Sequence, residues 1–128
     1  MKIEFELTPE LAEKLQIDKK WTGKYEIRQL NAKEYLQIGE KCLQKVRMEL
    51  IKQGRDNEPP VIPPFMFNFE VVLASVRFKG KRLPENIPSK LYEILSSYAI
   101  PLNLLTPQER ELYFLRDSTT KSQGQDIS

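Results

Sequence analysis

The first residues of the chain alternate between charged and apolar side chains. Ile3, Phe5 and Leu7 would share one side of an extended chain, and the charged residues between them the other side. This period of two is typical of a strand with one buried face. A second such segment covers residues 25–30. The pattern therefore predicts a small two-stranded β element within residues 1–30.

A short helix is predicted between these strands. Thr8-Pro9-Glu10 combines a capping hydroxyl, a proline suited to the first helical position and an acidic first turn. The helix covers residues 9–17, and its inward residues are Leu11, Ala12 and Leu15.

Helical periodicity returns after residue 30, where apolar residues recur every three or four positions from Tyr35 to Leu50. Asn31 and Glu34 have the spacing of a capping box, and Gly54 suits the left-handed position that ends a helix. One long helix is predicted over 31–54. The proline-rich residues 55–64 cannot continue it and predict an extended linker.

The most hydrophobic segment, residues 65–78, fits two periodicities. Helical spacing relates Phe65, Phe69, Val72 and Val76, whereas Phe65, Phe67, Phe69 and Val71 alternate as in a strand. The segment is longer than an average strand, and this length favours a helix. Gly80 and Pro84 then indicate a turn.

Two further helices are predicted in the C-terminal part. The first covers residues 88–98, is capped near Asn86 and stops before Pro101. The second begins at Thr106-Pro107-Gln108-Glu109 and continues through Leu112, Tyr113 and Leu115. Residues 117–128 have almost no apolar content and predict a disordered tail.

Together these elements predict an α+β fold that is mostly α-helical, with the two-stranded element followed by a bundle of about four helices. A chain of this length suits one globular domain, predicted over residues 1–116. Its parts are the β-rich residues 1–30, the long helix 31–54, the linker 55–64 and the helical half 65–116.

Composition narrows the function. The chain has no histidine, so it lacks the usual general base at neutral pH and the commonest transition-metal ligand. Its glycines are isolated and form no phosphate-binding loop. Paired carboxylates could still do chemistry, but no such pair can be assigned. These observations predict a protein that is not an enzyme and uses no cofactor or metal.

Charge and targeting signals suggest where the protein acts. The 20 basic and 18 acidic residues are spread along the chain, so bulk charge does not favour nucleic acid as a partner. Cys42 is the single cysteine, which fits a reducing compartment. The N-terminus lacks a signal-peptide pattern, and no segment is long enough to span a membrane. A cytoplasmic protein is expected, and self-association is left open.

Two groups of residues are candidate sites. The aromatic cluster contains Phe65, Met66, Phe67 and Phe69. It could dock an apolar protein partner, although core packing is the more ordinary explanation. The basic run contains Arg77, Lys79, Lys81 and Arg82. It could contact phosphates while Phe78 stacks on a base, although a solvated turn is the more ordinary explanation.

The order of elements resembles the tail assembly chaperones of long-tailed bacteriophages. The resemblance rests on the segment 25–36 that leads into the long helix, on the segment 76–83, and on the Asn103-Leu104 pair before a capped final helix. It covers roughly residues 1–116. The chain departs from the family pattern at its basic run, where an acidic turn is usual, and at its proline-rich insert.

This resemblance implies a non-enzymatic role in the cytoplasm of a phage-infected or lysogenic cell. Family members coat the long helical tape-measure protein and recruit tail-tube subunits during virion morphogenesis. The implied partners are therefore proteins. A small nucleic-acid-binding or regulatory protein that uses the basic run is the alternative.

Overall fold

The computed structural model describes residues 1–112. The predicted tail 117–128 lies outside the described residues, as do Tyr113 and Leu115 of the last predicted helix.

A four-stranded antiparallel sheet forms one layer of the molecule. Its strands are β1 (Lys2–Leu7), β2 (Gly23–Arg28), β3 (Val76–Phe78) and β4 (Lys81–Arg82), in that order across the sheet. Lys2 pairs with Arg28 and Leu7 with Gly23, so β1 and β2 are in register along their whole length. The two predicted N-terminal strands are therefore confirmed.

Helices make up most of the described chain. They are α1 (Pro9–Leu15), α2 (Ala32–Lys52), α3 (Pro64–Ser75), α4 (Ser89–Asn103) and α5 (Pro107–Arg110). The predicted α+β, mostly helical class is confirmed. The capping signals at Thr8, Asn31 and Thr106 act as predicted, because each side chain accepts a hydrogen bond from a backbone N–H in the first turn. Gly54 has φ +71°, as its predicted position at the end of α2 requires.

The main core lies between the sheet and α4. Alternate residues of the strands, including Leu7, Tyr25 and Ile27, pack with Leu91 and Leu95 of α4. A second, smaller cluster of Ile38, Cys42 and Val71 joins α2 to α3. Cys42 is buried, as expected of a cysteine that packs as a small apolar residue.

The segment 65–78 is mostly helical, as its length favoured, and the alternating positions from Phe65 to Val71 lie inside the helix. It is helical through Ser75 and then continues as β3, which pairs with β2. The predicted turn at Gly80 is the tip of the hairpin formed by β3 and β4. Lys79 and Gly80 have φ values of +54° and +76°, the backbone signs of a tight two-residue hairpin turn. The sheet thus gains two strands that were not predicted.

Helix α4 differs from its prediction at both ends. Its N-cap is Pro88 and no side chain caps it, so the prediction of a cap near Asn86 is wrong. It also continues through Pro101 to Asn103. Pro101 lies close to the end of the helix, where its missing N–H removes one backbone hydrogen bond. The side chain of Asn103 binds the end of β2 and the residues after it, because it accepts a hydrogen bond from Leu30 N and donates one to the carbonyl of Arg28.

Candidate protein-binding surface

The direction of α2 is fixed where it leaves the sheet. Asn31 Oδ1 accepts a hydrogen bond from Glu34 N at 2.8 Å, and Glu34 Oε1 accepts one from Asn31 N at 3.1 Å. Arg28, at the end of β2, donates to both carboxylate oxygens of Glu34 at 3.2 and 2.7 Å. This paired geometry is the strong form of an arginine–carboxylate interaction. It sets the first turn of α2 against the end of β2.

Most of the surface of α2 faces solvent. Of its 21 residues only Ile38 and Cys42 are buried. A long helix normally obtains most of its stability by burying an apolar face, and here that face is short. The other apolar side chains of α2 are half-buried or exposed, and the large exposed ones are Leu36, Met48 and Ile51.

Three of these side chains form a leucine stripe, defined here as Leu36, Leu43 and Leu50. They are seven residues apart, and because seven residues make nearly two helical turns they share one side of α2. Leu36 is 65% exposed, whereas Leu43 and Leu50 are half-buried. Ile51, next to the stripe, is 62% exposed. Helices that pack along each other use apolar residues at two positions of every seven, and the stripe supplies one of these positions.

The predicted aromatic cluster does not form one surface. Phe65, in the first turn of α3, is 75% exposed. Met66 and Phe67 pack on the cluster between α2 and α3. Phe69 faces α4, where its ring centroid lies 5.6 Å from that of Tyr92. Consecutive positions on a helix point in different directions, so only Phe65 is free to meet a partner.

Phe67 shows how α3 lies relative to the leucine stripe. Its ring packs edge-on against Tyr35 with a centroid separation of 5.2 Å. It also lies beside Gly39, where an added Cβ would be 3.9 Å from its ring. Gly39 occurs between Leu36 and Leu43 along α2. The first turn of α3 therefore lies near Gly39, whereas Phe65, two residues before Phe67, projects from a different side of α3.

The hairpin divides the predicted basic run into two groups. Arg77 and Arg82 are directly opposite each other on one face of the sheet. Lys81 pairs with Phe78, and its side chain belongs to the other face because side chains alternate along a strand. Lys79 is in the turn. The four residues therefore do not present a single basic surface.

Phe78, predicted to stack on a base, is already engaged within the protein. Its ring stacks on Tyr25 with a centroid distance of 4.4 Å and an interplanar angle of 8°. Trp21 also lies 6.3 Å from it, and Lys79 Nζ is 5.1 Å from its centroid. This packing fixes the hairpin to β2.

Two carboxylates, Glu34 and Glu70, hold α2 in place, and of these only Glu34 was predicted from the sequence, as part of the capping box. Hydrogen bonds from Arg28 and then from Asn31 N lower the pKa of Glu34 to about 2. Glu70, on α3, is buried and accepts hydrogen bonds from Lys41 at 2.9 Å and Lys45 at 3.3 Å. Burial raises the pKa of Glu70, but the bonds from both lysines outweigh it and hold the pKa below its ordinary value. The sequence signal for Glu70 was its position as a charged residue inside the apolar segment 65–78.

Within residues 1–112, no group of three or more cysteine, aspartate or glutamate side chains is arranged to hold a metal ion. No helix in this part of the chain is long and apolar enough to cross a membrane. Comparisons with protein-family models, with curated proteins and with solved structures gave no match to this chain.

Proposed function

We propose that this chain is a non-enzymatic binding protein that holds an amphipathic helix of a protein partner against α2. This proposal rests on the exposure of apolar side chains on two adjoining helices, α2 and α3. Leu36 of α2 and Phe65 of α3 are 65% and 75% exposed, and the seven-residue repeat extends from Leu36 along the helix. Exposed apolar side chains grouped in this way are typical of an interaction surface.

The geometry suits a helical ligand better than an extended one. A partner helix aligned with α2 would meet Leu36, Leu43 and Leu50 at every second turn. Phe65, exposed on the first turn of α3, is the second proposed apolar anchor. Such helix recognition draws its affinity mainly from buried apolar area, so it depends little on salt.

The resemblance to phage tail assembly chaperones supplies the identity of the partner. On this proposal the ligand is a helical segment of the tape-measure protein, and the complex recruits tail-tube subunits in the cytoplasm of the host cell. Many weak contacts repeated along one long helix would give high total avidity, yet each could be displaced as the tail tube polymerises.

The second candidate function is binding of nucleic acid through the hairpin. It is favoured by the Arg77 and Arg82 pair, which has no carboxylate within ion-pair distance among residues 1–112. This function would be sensitive to salt, because phosphate contacts release counterions.

The test is a titration of the full chain with overlapping helical peptides from the tape-measure protein of the same genome. We expect Leu36→Ser and Phe65→Ser each to weaken binding about tenfold or more, since loss of an apolar anchor commonly costs about 2 kcal/mol. Met48→Ser is the matched control, because Met48 is 61% exposed on the same helix but lies away from the stripe.

Labelled single-stranded and duplex DNA are titrated in parallel, at low and physiological salt. Peptide binding that survives the higher salt supports the proposal. Salt-sensitive binding of DNA without any binding of peptide would contradict it and favour the second candidate.

A further inference from the structure

A cleft of about 240 Å³ opens between the hairpin, α2 and α3. Its charged lining residues are Arg28, Lys41, Arg77, Arg82, Glu34 and Glu70. Four basic side chains therefore face two carboxylates. Of these six residues only Arg77 and Arg82 belong to the predicted basic run, because the others come from β2, α2 and α3.

Both carboxylates are already occupied. Glu34 accepts hydrogen bonds from Arg28 through both oxygens and also from Asn31 N. Glu70 accepts one from Lys41 on one oxygen and one from Lys45 on the other. Neither carboxylate forms an ion pair with the two arginines of the hairpin within residues 1–112.

Arg77 and Arg82 are a cross-strand pair of like charges, an arrangement that is unfavourable without a counter-charge. No carboxylate lies within ion-pair distance of either residue in the described part of the chain. Glu26 is opposite Arg77 on β2, but its carboxylate binds Lys2 at 3.4 Å. Within residues 1–112, Glu34 and Glu26 therefore act on Arg77 only at longer range, and neither arginine of the pair has a direct ion-pair partner.

The orientation of Arg77 is fixed by the fold. Its Nη1 donates to the carbonyl oxygens of Ala74 at 2.8 Å and Val76 at 3.1 Å. In the described part of the chain its other N–H groups have no hydrogen-bond partner. Burial, and then the positive charges of Arg28 and Arg82, lower the pKa of Arg77. A bound anion would offset the second of these effects.

We propose that this cleft binds a small phosphate-type dianion between Arg77 and Arg82. Guanidinium groups present paired N–H donors that match the oxygens of a phosphate. A dianion also balances the excess of two basic side chains in the lining. Lys79 and Lys81 do not line the cleft, so the site differs from a basic surface spread over the whole run.

The experiment titrates the full chain with inorganic phosphate while the arginine side-chain Nε–Hε signals are followed by NMR. Saturable shifts of the Arg77 and Arg82 signals are expected. Arg82→Gln should reduce the affinity about tenfold or more, in line with the loss of a charge-assisted hydrogen bond. Because Arg82 is exposed and this change removes a like-charge pair, the variant should remain folded.

Lys81→Gln is the matched control, because it removes the same charge from the adjacent position on the other face of β4. Its affinity for phosphate should be unchanged. A parallel titration with a nucleoside monophosphate shows whether the cleft binds a phosphate ester or free phosphate more tightly. The proposal is overturned by the absence of saturable shifts at Arg77 and Arg82, or by equal losses of affinity in the two variants.

Discussion

The side chain of Asn103 joins the end of α4 to the connection between β2 and α2. Its Oδ1 accepts a hydrogen bond from Leu30 N at 2.6 Å. Its Nδ2 donates to the carbonyls of Arg28 at 3.4 Å and Ala99 at 3.0 Å. The sequence singled out this residue only through the Asn103-Leu104 pair of the family pattern. The structure gives it a physical role in holding α4 and α2 together.

Replacing Asn103 with alanine should destabilise the fold by about 1–3 kcal/mol, because Leu30 N would lose its partner in a half-buried site. Urea unfolding of the wild type and Asn103→Ala measures this difference. Gln29→Ala is the control, since its side chain reaches the same region through an exposed bond of 3.4 Å. Equal stabilities of Asn103→Ala and the wild type would contradict this role.

Glu34 makes stability depend on pH. Its pKa is lowered from 4.5 to about 2, first by the bond from Arg28 and then by that from Asn31 N. A lowered pKa means that the ionised carboxylate stabilises the fold above pH 4.5, and that this contribution is lost as the pH falls from 4.5 to about 2.

The expected result is that Glu34→Gln is less stable than the wild type at pH 7 and that the difference shrinks as pH falls below 4.5. Melting temperatures measured across this range provide the comparison. Glu40→Gln, on the exposed side of the same helix, serves as the control. A difference between Glu34→Gln and the wild type that does not change with pH would refute the assignment.

At the scale of elements, the sequence predicted the features that depend on residues close together in the chain. The caps at Thr8, Asn31 and Thr106 marked real helix starts, because each satisfies backbone N–H groups within a few residues. The hairpin was missed for the opposite reason. β3 has three residues and gains its strand conformation by pairing with β2, which is far away in sequence, whereas β4 has two residues and pairs with β3.

The left-handed backbone conformation of Lys79 in the hairpin turn can be tested by substitution. Lys79 has φ +54°, a left-handed conformation that asparagine adopts more readily than lysine. Lys79→Asn should therefore stabilise the fold by about 0.5 kcal/mol, because it creates the Asn-Gly pair that such turns favour. Thermal unfolding measures the change, and Lys81→Asn should give no gain. A clear loss of stability in Lys79→Asn would show that the turn has a different conformation.

At the scale of the whole molecule, the sequence predicted the fold class better than the candidate sites. Hydrophobic periodicity gave the mixed fold and the long helix, because it reports which side of an element is buried. It could not show that α3 turns Met66 and Phe67 toward α2 and Phe69 toward α4, leaving Phe65 exposed. That division depends on the helices packed on either side. The cleft at Arg77 likewise combines five separate elements.

The leucine stripe and Phe65 are proposed to hold a helical segment of a protein partner. The most direct measurement is a backbone amide NMR spectrum of the full chain, recorded as a helical tape-measure peptide is added. We expect shifts concentrated between residues 36 and 51 of α2 and in the first turn of α3. The amide signals of the hairpin residues 76–82 should be unchanged. Shifts confined to the hairpin, with α2 unaffected by a peptide that binds, would contradict it.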